Sequence, residues 1–110
     1  MEKVNFYYEK YYTLECFYGW IDQGSSYEVA IGQCFYYSKE LSKLQELIMA
    51  VTIATRFERS GRALPERFQA QLKELIVNTE NLKLQDYGLN EAEQRVLREE
   101  IEEVKLLIKI

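Results

Sequence analysis

The residues that could do chemistry in this chain are few, and their types exclude more than they suggest. Histidine is absent, which removes catalytic triads with an imidazole base, zinc sites that need imidazole, and the di-iron pattern of helical bundles. A cysteine nucleophile needs a neighbouring cation or a helix N-terminus to lower its pKa. Cys16 lies between Glu15 and Phe17, and Cys34 falls on an apolar stripe. Both read as reduced, packed cysteines with no disulfide between them. Glu99, Glu100, Glu102 and Glu103 include carboxylates one helical turn apart, which could hold a hard cation. With Arg95 and Arg98 beside them, a solvated charged face is the expectation, and no metal site is expected. The five glycines are scattered and no phosphate-binding loop occurs. No cofactor and no catalytic residue is expected.

What remains is a surface chemistry of aromatic rings and charge. Twelve of the fifteen aromatics fall in residues 1–37, among them Phe6, Tyr7, Tyr8, Tyr11, Tyr12, Phe17, Tyr18 and Trp20. They are too many for one helical stripe, so some rings should stay exposed. Tyrosine and tryptophan are the residues enriched at binding hot spots. Residues 80–103 carry a local excess of five negative charges, while Arg56, Arg59, Arg62, Arg67 and Lys73 give residues 56–73 a positive balance. The chain as a whole has a net charge of -4, against the basic footprint expected of a nucleic-acid binder.

The elements that must position these groups follow from apolar spacing. At 110 residues with 47% hydrophobic and 29% charged residues, the chain has the size and composition of one domain spanning residues 1–110. No apolar run approaches the roughly 20 residues of a bilayer span. The N-terminus shows no secretory-signal pattern, so the expected compartment is the cytoplasm.

Val4, Tyr7, Tyr11, Leu14, Tyr18 and Ile21 step by three and four, predicting a helix with these residues in its seam. The even-numbered residues from Val4 to Trp20 also fit a strand, leaving an α+β fold with an N-terminal aromatic strand or hairpin as the alternative. Tyr27, Ala30, Cys34, Tyr37, Leu41, Leu44, Ile48, Val51 and Thr55 predict one long second helix, capped by Ser25 with Glu28 and ended by Ser60–Gly61. Gly32 is its expected weak point. A third helix opens at Pro65 and carries Phe68, Leu72, Leu75 and Ile76. After a connector over 78–88, Asn90 with Glu93 caps a fourth, with Val96 or Leu97, Ile101, Val104 and Ile108 on its apolar face. The expected fold is all-α, an antiparallel bundle of about four helices with a long second helix.

The expected function is non-enzymatic protein binding. An inhibitor or immunity-type protein, neutralising a partner such as a toxin or nuclease, would use Glu99, Glu100, Glu102 and Glu103 to steer a basic partner and Tyr8, Tyr12 and Trp20 to anchor it. A structural homodimer or higher homo-oligomer, and a nucleic-acid accessory protein using Arg56, Arg59, Arg62 and Arg67, are the alternatives.

Overall fold

A computed structural model describes residues 3–36 and 41–109. Its elements are α1 (Phe6–Asp22), α2 (Tyr27–Tyr36), α3 (Lys43–Arg59), α4 (Glu66–Thr79), a short 3-10 turn (Leu84–Tyr87) and α5 (Glu91–Ile108). The described residues contain no strand, so the N-terminal aromatic segment is a helix and the alternative strand is not formed.

The organising element is α3. Residues 47–55 are all buried, because LIMAVTIAT carries no charged side chain on any face. A helix apolar all round belongs in the middle of a fold, and α1, α4 and α5 pack around α3 while α2 lies against α1. Its two interior threonines avoid a desolvation cost by back-bonding to their own helix: Thr52 Oγ1 donates to Ile48 O at 2.7 Å and Thr55 Oγ1 to Thr52 O at 3.1 Å.

The long second helix is divided. Helix α2 is described as far as Tyr36, and α3 starts afresh at Lys43 after Ser42, whose hydroxyl accepts from Gln45 N while the Gln45 side chain accepts from Ser42 N. That reciprocal cap starts a helix rather than continuing one. The expected stripe residue Tyr37 lies outside the described residues, and Leu41 precedes the cap. The helix runs through Gly32 without interruption. The cap of α2 is Ser26, one residue beyond the expected Ser25, with its hydroxyl accepting from Val29 N at 3.1 Å.

The other boundaries follow the sequence closely. Helix α3 closes at Ser60, and Gly61 takes a φ of 75°, a left-handed conformation that glycine adopts without a Cβ penalty. Pro65 stands immediately before α4, which buries Phe68, Leu72, Leu75, Ile76 and Thr79. Asn90 and Glu93 form the capping box of α5, which buries Leu97 and Val104 and sets Val96, Ile101 and Ile108 against the core. The connector is tied down: Val4 N donates to Tyr87 O at 2.8 Å, joining the start of the chain to the 3-10 turn.

Candidate binding face

Helix α1 presents its two sides to very different surroundings. Phe6, Thr13 and Phe17 face the core, and Lys10, between them at helical spacing, shares that face. Phe17 is the centre of a ring cluster, with centroids 5.6 Å from Tyr27 and 5.9 Å from Phe57; Tyr27 and Phe57 complete it at 5.3 Å. The expected seam is therefore displaced. Tyr7, Tyr11 and Tyr18 are exposed, not buried, because the core stripe runs through a lysine and a threonine that apolar spacing does not count.

The opposite side of α1 is a row of tyrosines. Tyr7, Tyr8, Tyr11 and Tyr12 are 55%, 58%, 62% and 53% exposed. Tyr8 and Tyr12 stack, with centroids 6.1 Å apart and planes 18° apart, and Tyr11 Oη donates to Glu15 Oε1 at 3.0 Å. Bonding to Glu15 holds the Tyr11 phenol above its ordinary pKa, as proximity to Cys16 does for Tyr12. Both rings are therefore neutral phenols at physiological pH.

Tyr8, Tyr12 and Trp20, the three expected anchors, meet at one cavity of about 600 Å³ between α1, α2 and α3. Glu9, Thr13, Cys16, Cys34, Leu41 and Met49 complete its described lining. Tyr8, Tyr12, Cys16 and Trp20 are each four residues apart, so one side of α1 supplies them in a row. Trp20 is half-buried against the core. Cys16 and Cys34 are free thiols, and burial, followed by the nearby Cys16, pushes Cys34 up to about 12.

The four glutamates of α5 do not form one acidic surface. Glu100 turns inward and binds Lys10, whose Nζ lies 2.7 Å from both carboxylate oxygens and 2.9 Å from Thr52 Oγ1. The pair is 18% and 13% exposed, and it ties α1, α3 and α5 together. Burial lowers the Lys10 pKa, opposed by the hydrogen bond and charge of Glu100 and reinforced by Arg59 and Arg56. The Glu100 charge is thus paired within the fold, unlike the outward carboxylates expected of a steering face.

Glu103 faces Glu58 of α3, and the hydrogen bond its protonated carboxyl makes there, then burial, raises its pKa against the opposing charge of Arg59. The folded state consequently holds that proton more tightly than the unfolded chain. Its contribution to stability is full below the ordinary glutamate range and lost as pH rises through the raised value. Glu103→Gln, which keeps a hydrogen-bonding side chain without the second charge, is expected to raise the melting temperature by about 1–3 °C at neutral pH. Thermal melts should show the gain vanishing as the pH is brought down into the carboxylate range.

Glu99 and Glu102 point outward, but Glu91, Arg95 and Arg98 share their groove, so signs alternate along it. The four arginines are likewise dispersed. Arg56 and Arg59 line a cleft with Glu99, Glu100 and Glu103, the Arg62 guanidinium lies 3.9 Å over the Tyr27 ring, and Arg67 borders a groove between α2 and α4.

Residue type singled out Tyr8, Tyr12 and Trp20 as anchors, while Glu9, Leu41 and Met49 as cavity residues, and Lys10 as the interior cation, were missed. For Lys10 a signal was present: it sits four residues after Phe6 and seven before Phe17, on the stripe those two rings define. No group of three or more cysteine, aspartate or glutamate side chains among the described residues is arranged to hold a metal. No described helix is long and apolar enough to cross a membrane. No known protein family, curated protein or solved structure matches the chain.

Proposed function

We propose that this protein is a non-enzymatic protein-binding module whose contact face is the outer side of α1. The observation that carries this reading is the concentration of solvent-exposed tyrosines on one helix, beside a cavity that Tyr8, Tyr12 and Trp20 line. Exposed aromatics in a contiguous group mark interaction sites, and amphipathic rings on a rigid helix lose little conformational freedom on binding. The net charge of -4 favours a basic partner, and inhibition of a toxin or nuclease is the activity this combination suits. Steering comes from that overall charge, with Glu99 and Glu102 as the outward contributors on α5.

The test is capture from the native lysate by tagged wild-type protein and by the Tyr8→Ser/Tyr12→Ser variant, with stoichiometry by mass spectrometry. Both substitutions are at exposed positions and are expected to change stability by no more than about 0.5 kcal/mol each. Wild type should retain one partner near equimolar, and the variant should lose at least about tenfold in recovery, equivalent to about 1.4 kcal/mol. Recovery of self-associated chains alone, dispersed by the same substitutions, would reassign the face to a homo-oligomer. Equal capture by both proteins would remove α1 from the contact.

A further inference from the structure

We propose that the cavity between α1, α2 and α3 binds an amphiphilic organic cation, its ammonium group held by Glu9 with Tyr8 and Tyr12, and its apolar body against Trp20, Leu41 and Met49. This goes beyond the protein-binding reading and does not depend on it. A volume of about 600 Å³ falls within the range of small-molecule sites, which are apolar with a few placed polar groups.

The charge of the ligand follows from the lining. Glu9 is the one charged side chain among the described lining residues, and no lysine or arginine accompanies it there. Glu9 Oε1 accepts from Gln45 Nε2 at 2.8 Å, and its other carboxylate oxygen accepts no hydrogen bond from any described residue. An anion would meet that carboxylate with no described cation beside it, and a neutral apolar molecule would bury its second oxygen without a donor. An ammonium group supplies the donor and the opposite charge, and aromatic faces attract it further. Two phenols, an indole and a carboxylate around one cavity are the groups that recognise alkylammonium ligands. The Cys34 thiol leaves this balance untouched, since burial keeps it protonated.

Trp20 is the sole tryptophan of the chain and lines the cavity, so its emission reports occupancy without ambiguity. Hexylamine and hexanol serve as probes, alike in their apolar body and different in charge. Titration should give a saturable change in Trp20 emission with hexylamine at an affinity about tenfold above that for hexanol. Glu9→Gln, which retains an acceptor for Gln45, should bring hexylamine down to the hexanol level and leave hexanol unchanged, while Glu9→Asp should keep the preference. Equal affinities in the wild type, a preference that survives Glu9→Gln, or no saturable response to hexylamine would each overturn the proposal. The wild-type comparison decides the matter even if a Glu9 variant fails to fold.

Discussion

Phe17→Ala is expected to cost about 3–5 kcal/mol of folding stability. Phe17 is 1% exposed and is where α1, α2 and α3 meet through the rings of Tyr27 and Phe57. Removing the ring leaves a cavity that three helices would have to close together, and close-packed interiors relax only in part. Against a typical domain stability of about 5–15 kcal/mol, the loss is a large share of the total. Thermal and urea unfolding should show the melting temperature falling by about 12 °C or more. Phe17→Leu, which retains much of the volume, should cost far less. A Phe17→Ala protein within about 1 kcal/mol of wild type would contradict the ring cluster as the joint between these helices.

The second large effect is electrostatic. Glu100→Ala leaves the Lys10 ammonium in the interior with Thr52 as its remaining hydrogen-bond partner and the Phe6 ring 5.3 Å away, at an expected cost of about 2–4 kcal/mol. The pH dependence carries a definite sign. Burial already lowers the Lys10 pKa, and the contact with Glu100 opposes that shift. Without Glu100 the folded-state value falls further below 10.5, the ordinary value. The variant should therefore be weakest where Lys10 is charged, and should recover stability as pH rises through the lowered value. Replacing both partners by apolar residues, as Lys10→Met with Glu100→Leu, should restore most of the loss, since an apolar pair carries no desolvation cost. Urea unfolding of the single and double variants across pH measures each part. A Glu100→Ala variant with wild-type stability at every pH would show that the pair is solvated rather than interior.

The all-helical architecture was legible because α4 and α5 keep one apolar face and have recognisable ends. Pro65 and the Asn90–Glu93 box mark the starts of those two helices, and Ser60–Gly61 the end of α3, by chemistry that acts within a few residues. The division between α2 and α3 was hidden for the opposite reason. Two consecutive helices that bury their faces in a shared core can carry an unbroken three-and-four rhythm across the join. Only Ser42 with Gln45 betrays the new start, and such a pair inside an apolar stripe reads as helix interior.

In α1 the difficulty lay in tyrosine itself. It counts as apolar in a periodicity, yet its hydroxyl allows it to stand in water, so Tyr7, Tyr11 and Tyr18 trace a stripe that faces outward. The core side runs through Lys10 and Thr13, whose burial depends on Glu100 and on the Glu9 carbonyl. Partners ninety residues away, or within the helix backbone, leave no trace in local spacing. The cavity was equally invisible, since Met49 and Leu41 reach it from across the break between α2 and α3.

The most direct test of the α1 face is tyrosine nitration read residue by residue, with the protein alone in buffer and bound to what it captures from its native lysate. In buffer, Tyr8, Tyr11 and Tyr12 should react readily, as should Tyr36, which is exposed on α2. In the bound state the three α1 tyrosines should be protected several-fold while Tyr36 keeps its reactivity. Undiminished nitration of Tyr8, Tyr11 and Tyr12 in the bound protein would contradict the assignment of α1 as the binding face.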